Sequence, residues 1–128
     1  MALAFHEPRE ELPAEVIDQH RAVASLIEEL EAVIWYQQRA AATPDPAIKA
    51  VLEHNRDEEI EHAMMLLEWL RRNFPGFEEH MRTYLFTSAP ITEIEEQAEG
   101  GDGESAGAGA PSGPAGDLNI GSMKRKGA

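Results

Sequence analysis

Two glutamates and a histidine offer the chemistry of a metal site in this sequence. Glu59 and His62 form a Glu-x-x-His pair, and Glu29 is a single glutamate upstream. A di-iron site in a four-helix bundle takes one Glu from each of two helices and a Glu-x-x-His from each of the other two. This chain carries half of that ligand set. A two-fold dimer would supply the other half, so the count predicts an assembly as well as a chemistry.

The three residues stand on apolar stripes of predicted helices. Residues i and i+3 share a helix face, so Glu59 and His62 can reach one ion. Glu29 lies between Leu26 and Val33. Burying an unpaired carboxylate costs several kcal/mol, which metal coordination offsets. Glu-x-x-His also arises by chance in acidic helices, and a buried polar pair without metal is the competing interpretation.

Three further residues are weaker candidates. Tyr36 follows Glu29 by two helical turns and is either a ligand or electron donor to the ion, or a packing residue. Glu28 and Glu31 flank Glu29 on other faces. Exposed acidic residues on a helix usually just face solvent. The alternative hypothesis is that these two form a patch through which metal ions reach the site.

Composition limits the ligands and the partners. The 128 residues include no cysteine, so a metal site must use carboxylate, imidazole or phenol, which suits iron or manganese. The net charge of -13 argues against nucleic acid and against an anionic membrane surface. The N-terminus has no apolar signal segment and the chain no 18-residue apolar run. We expect a soluble cytoplasmic protein.

The pattern predicts an all-α fold built on a helical hairpin. Residues 14–42 contain neither Gly nor Pro, and a second helix is predicted from Pro46 to about Asn73 after Asp45 as N-cap. Their short connection makes the pair antiparallel. A shorter amphipathic helix is expected between Gly76 and Pro90.

Apolar stripes on the two long helices predict several helical neighbours. The first helix has two adjacent stripes at 3–4 spacing, Val16, His20, Val23, Ile27, Leu30 and Ile34, and then Leu26, Glu29, Val33 and Tyr36. The second helix has one predicted inward stripe, Ile48, Leu52, Asn55, Glu59, His62, Leu66 and Trp69.

The chain divides into three segments by composition. Residues 1–97 form the helical domain. Residues 98–116 hold seven of the ten glycines and no large apolar residue, so they predict a flexible, disordered linker. Residues 117–128 regain apolar side chains and become basic, which is typical of a short tethered ligand peptide.

Several separated motifs together resemble the encapsulated ferritins, ferroxidases carried inside the encapsulin nanocompartments of bacteria and archaea. The resemblance covers roughly residues 15–95. Its motifs are Glu28-Glu29-Leu30-Glu31-Ala32-Val33, Trp35-Tyr36, Asn55-Arg56-Asp57-Glu58-Glu59, Glu61-His62, Glu68-Trp69-Leu70-Arg71-Arg72-Asn73 and Arg82-Thr83-Tyr84-Leu85-Phe86-Thr87.

The resemblance implies a ferroxidase that oxidises Fe(II) with O2. It implies a ferritin-like four-helix bundle made by a dimer, with a di-iron centre at the dimer interface and five dimers in a decameric ring. Its ligands match Glu29, Glu59 and His62, with Tyr36 as an additional contact and Trp35 lining the site. Glu28 and Glu31 match the acidic residues that admit metal.

The last segment resembles an encapsulin cargo-loading peptide. Residues 117–126 would bind the shell protein through Leu118, Ile120 and Met123, so that iron is mineralised within the nanocompartment. A cloning remnant is the alternative, because Gly-Ser-Met also occurs at cloning junctions. A competitor for the whole chain is a non-enzymatic helical adaptor that dimerises and brings cargo to a shell. Rubrerythrin-like and bacterioferritin-like enzymes fit less well, since they carry both Glu-x-x-His halves in one chain.

Overall fold

The described part of the protein is entirely helical. The structure is a computed structural model that describes residues 4–102. A short 3-10 helix, Arg9–Glu11, precedes four α-helices: α1 (Ala14–Ala42), α2 (Pro46–Asn73), α3 (Phe77–Tyr84) and α4 (Ile91–Asp102). The described residues fall into two compact units that divide between Pro75 and Gly76. The predicted all-α class and the bounds of the two long helices are confirmed.

Local chemistry accounts for the ends of the long helices. The last turn of α1 closes with the Thr43 N–H donating to the Arg39 carbonyl, and Pro44 follows. The Asp45 carboxylate then accepts a 2.9 Å hydrogen bond from the Ala47 N–H and caps α2, whose first residue is proline. Since the connection is this short, α2 must return along α1.

Cross-helix hydrogen bonds define an antiparallel register. At one end the Gln19 side chain donates to the Asn73 carbonyl at 3.0 Å, and at the other Lys49 Nζ donates to the Ala40 carbonyl at 3.3 Å. Between them Arg56 donates to the Gln37 side-chain oxygen at 2.8 Å. The middle of α1 therefore lies beside the middle of α2.

The hairpin buries few side chains of its own. The buried residues among those described are Gln19, Ala22, Ala40, Ala63 and Leu70. The predicted inward stripe of α2 does not face α1 squarely, because Ile48 remains 48% and Trp69 36% exposed. Ala63 and Leu70, which lie beside that stripe, are the buried residues of α2 instead. The stripe lies partly against α1 and partly on an open face.

The second unit differs from expectation at its C-terminal end. The predicted amphipathic helix is α3, which follows Gly76 in the left-handed region with φ of 105° and ends at Tyr84. α4 packs on α3 within this unit. The linker was predicted to begin at residue 98, whereas α4 continues through Asp102. Glu93 in the first turn of α4 stabilises the start of the helix. The helix continues through Gly100 and Gly101. The remaining linker and the segment 117–128 lie outside the described residues.

Candidate metal centre

Three side chains from the two long helices meet at the middle of the hairpin. One ligand atom from each of Glu29, Glu59 and His62 can be chosen so that all lie within 4.8 Å of one another. His62 Nδ1 is 3.2 Å from Glu59 Oε1 and 3.8 Å from Glu29 Oε1. Within residues 4–102, no other group of three His, Cys, Asp or Glu side chains is as close.

The helices bring the three groups together in two ways. Glu59 and His62 are one turn apart on α2, which puts them on the same side of that helix. The antiparallel register then sets Glu29 of α1 against them. The side chains are 27% (Glu29), 24% (Glu59) and 46% (His62) exposed, so the cluster borders solvent on one side of the hairpin. It has room for further ligands on that side.

The carboxylates and the imidazole shift one another's pKa values. The pKa of Glu29 is raised from 4.5, mainly by its hydrogen bond to Glu59 and then by burial and the negative charge of Glu59. The pKa of Glu59 is lowered, mainly by that same bond, and His62 lowers it further although burial opposes. The pKa of His62 is raised from 6.5, mainly by its hydrogen bond to Glu59. The two carboxylates therefore lie close enough to influence each other, and positive charge beside them is favoured.

The donor set fits a first-row transition metal. Two carboxylates and an imidazole nitrogen are ligands that iron accepts, whereas calcium and magnesium prefer oxygen alone. A divalent ion in this position would compete with protons for Glu29 and His62, whose pKa values are raised, because metal ligands must be deprotonated. Three protein ligands from one chain would leave other coordination positions open for a second chain, water or a substrate.

The group of three close ligand side chains does not include the other predicted residues. Tyr36 is half-buried on α1, and the Arg39 guanidinium lies over its ring with Cζ 5.7 Å from the centroid. Glu28 is exposed and Glu31 is half-buried. Trp35, expected to line the site, is 51% exposed in the single chain. Their predicted roles need a surface beyond one protomer.

Sequence reasoning overlooked two features near the centre. It did not single out Arg39, although a cation three residues after Tyr36 on one helix is a recognisable signal. It also passed over Met64 and Met65, which line a hollow of about 440 Å³ on α2. The predicted anchors Leu118, Ile120 and Met123 lie outside the described residues. None of the described helices is long and apolar enough to cross a membrane.

Known proteins resemble this chain over most of its length. Residues 4–88 match the profile of the EncFtn-like family. A ferritin-like protein of Thermotoga maritima is 58% identical over 107 residues, covering 84% of this chain and 94% of the relative. An encapsulated ferritin-like protein of Rhodospirillum rubrum is 55% identical over 121 residues, covering 93% of this chain and 86% of the relative. The crystal structure of protein NE0167 from Nitrosomonas europaea superposes with a TM-score of 0.67 at 56% identity, covering 69% of this chain and 97% of that one.

Proposed function

Because this chain belongs to the EncFtn-like family, we propose that it is a ferroxidase that oxidises Fe(II) with O2 at a di-iron centre across a homodimer interface. The observation that carries the proposal is the convergence of Glu29, Glu59 and His62 within 4.8 Å. Two such clusters related by a two-fold axis provide four carboxylates and two imidazoles, which is the ligand set of a di-iron carboxylate bundle.

The exposed apolar surface supports a dimer. Trp69 lies two turns beyond His62 on α2 and is 36% exposed, and Val51 on the same side is 56% exposed. A second hairpin packed against this side would cover both residues and complete a four-helix bundle. It would also exclude water from the clusters. Tyr36 and Trp35 of one protomer would then face the centre shared with the other, as the family resemblance implies.

A second exposed apolar surface supports a larger assembly. Leu30 and Ile34 lie one and five residues after Glu29 on α1. Ile60 and Met64 lie one and five residues after Glu59 on α2. On each helix these steps are rotations of about 100° and 140° from the glutamate. Because the helices are antiparallel, all four side chains fall on the side of the hairpin away from His62. They are 43–53% exposed. Contacts through both sides would link dimers into a closed ring, and the resemblance gives five dimers.

Each site residue has a defined role in the proposed reaction. Glu29 and Glu59 bind Fe(II) and stabilise the higher charge of Fe(III) as each ion gives one electron to O2. His62 binds as a neutral imidazole, so it must first lose its proton. The acidic side chains of Glu28 and Glu31 would attract Fe(II) toward the centre. The protein residues thus bind and orient Fe(II) and release protons as it binds, while O2 accepts the electrons.

The remainder of the proposal concerns location. One relative carries the name encapsulated ferritin-like protein. In this chain, residues 117–126 resemble a cargo-loading peptide. We infer that this segment binds an encapsulin shell inside a prokaryotic cytoplasm and that Fe(III) is mineralised in the enclosed space. A ring of open dimers encloses no sealed cavity, so storage belongs to the shell.

Stopped-flow oxidation of Fe(II) tests the activity directly. We expect Glu29→Ala, Glu59→Ala and His62→Ala to abolish or strongly reduce Fe(II) oxidation, while helix content by circular dichroism stays near that of the wild type. His54→Ala is a matched control, because His54 is a largely exposed histidine on the same helix that pairs with Glu58. Wild-type rates in all three site variants would rule out this centre and leave the helical adaptor as the better function.

A further inference from the structure

Two adjacent methionines stand at the surface of α2 just beyond the centre. Met64 is 50% and Met65 62% exposed. Both line the hollow of about 440 Å³, together with Glu61, Glu68, Trp69 and Arg72. A methionine stabilises a fold through the apolar area that it removes from water, so an exposed methionine contributes little packing energy. What an exposed thioether retains is its reactivity toward oxidants.

The charged rim of the hollow is occupied by its own ion pairs. Arg71 donates to both carboxylate oxygens of Glu68 at 2.9 and 2.7 Å, and Arg72 donates to the same carboxylate at 2.7 Å. These two hydrogen-bonded cations lower the pKa of Glu68 to about 2. The Glu68 carboxylate is therefore engaged and is a poor candidate for a base or a metal ligand. The thioethers are the reactive groups that remain.

Only one of the two methionines lies on the side of α2 that carries His62. Met65 follows His62 by one helical turn, which places the two β-carbons about 5–6 Å apart on the same side of α2. Long side chains in helices lean toward the N-terminus, so that of Met65 leans toward the turn that carries His62. Met64 follows His62 by two residues, about 200° around the helix, and lies on another side. Neighbours in sequence thus differ in their access to the centre.

We propose that Met65 is an oxidation site that captures hydrogen peroxide leaving the iron centre. This inference rests on the proposed ferroxidase function. Two Fe(II) ions give two electrons to O2, which takes up two protons and becomes hydrogen peroxide. The peroxide O–O bond breaks as one oxygen atom is transferred to the Met65 sulfur, which loses two electrons and becomes the sulfoxide. The other oxygen leaves as water, and a methionine sulfoxide reductase can restore the thioether.

Peptide mass spectrometry after turnover tests the proposal, with Met64 as an internal control. The full chain is loaded with Fe(II) without oxygen and then exposed to air, and a second sample receives hydrogen peroxide in chelator without iron. Peroxide from bulk solution should oxidise each methionine according to its exposure in the assembled protein, so this sample gives the reference ratio of the two sulfoxides. After turnover we expect the Met65 to Met64 sulfoxide ratio to be several-fold higher than after bulk peroxide. Catalase in solution should preserve this selectivity, because it removes only peroxide that has escaped.

Three variants make the outcome decisive. Met65→Leu should release more peroxide per Fe(II) oxidised than Met64→Leu, while both oxidise Fe(II) at the wild-type rate. Glu59→Ala should lose the Met65 selectivity, because Fe(II) then reacts in bulk solution. Equal sulfoxide ratios after turnover and after bulk peroxide, with normal Fe(II) oxidation, would overturn the Met65 assignment alone. Fe(II) oxidation no faster than in buffer would overturn the proposed function and this inference with it.

Discussion

Metal binding and dimer formation should be thermodynamically linked. Among the described residues 4–102, each chain provides Glu29, Glu59 and His62 to the cluster, and a second chain would complete the proposed coordination. An ion of this kind binds the dimer much better than the monomer, so it stabilises association by mass action. Removal of the metal should therefore shift the protein toward smaller species at low concentration.

The size of the effect follows from the number of sites. A ligand at 100 times its dissociation constant stabilises the binding-competent state by about 2.7 kcal/mol. Two symmetric ions per dimer then contribute about 5.4 kcal/mol, which lowers the dimer dissociation constant by about four powers of ten. The exposed apolar side chains near the cluster, such as Trp69 and Val51, supply the metal-independent part of the association.

Sedimentation velocity measures this linkage. Anaerobic protein at dilute concentration is run with saturating Fe(II) and with chelator, and we expect the dimer and larger species to decline with chelator. Glu29→Gln is the matched control, because it keeps the side-chain volume but removes a charged ligand, and its distribution should no longer respond to metal. Identical mass distributions with Fe(II) and with chelator in the wild type would refute the reasoning that the ions bridge two chains.

Three further predictions follow from the same contacts. Acidification should weaken metal binding as pH falls through the pKa of His62, which is raised above 6.5. In the metal-free protein the effect has the opposite sign. There His62 contributes stability that is present below pH 6.5 and is lost as pH rises through the raised pKa. Thermal melts across this interval with chelator and with metal should thus change in opposite directions, and parallel curves would contradict the assignment of His62. Leu70→Ala should cost about 2–5 kcal/mol in urea unfolding, because Leu70 is fully buried, and a cost within about 0.5 kcal/mol of zero, as surface substitutions give, would count against the hairpin core. Truncation after Gly116 should leave Fe(II) oxidation intact but abolish loading into co-expressed shells, while shells that still load the truncated chain would exclude the segment as the loading peptide.

Changing the anchors separates the two ways in which the final segment could bind a shell. A triple change of Leu118, Ile120 and Met123 to Ser keeps the basic residues 124–126. We expect loading to be lost if apolar docking holds the segment. Wild-type occupancy of the shells by this variant would favour electrostatic binding by the basic end.

The sequence alone determined the helices and the face on which the ligands stand. Pro46 after Asp45 and the Pro75-Gly76 pair act on the backbone locally, so they set the bounds of α2 without reference to the rest of the chain. The 3.6-residue period likewise puts Glu59 and His62 on one side of a helix. Such signals lie within a few residues of their effects and can be read directly. The extent of α4 was missed, because glycines weaken a helix without fixing the residue at which it ends.

The tertiary structure decided how the two helices share their surfaces. The register that sets Glu29 3.8 Å from His62 depends on contacts such as Gln19 with Asn73, which are distant in sequence. Hydrophobic periodicity marks a residue as apolar but not which neighbour covers it. Ala63 and Leu70 are therefore buried, whereas Leu30 and Ile34 stay exposed. The pKa shifts within the cluster have the same origin, because a pKa responds to distances between groups that only packing fixes.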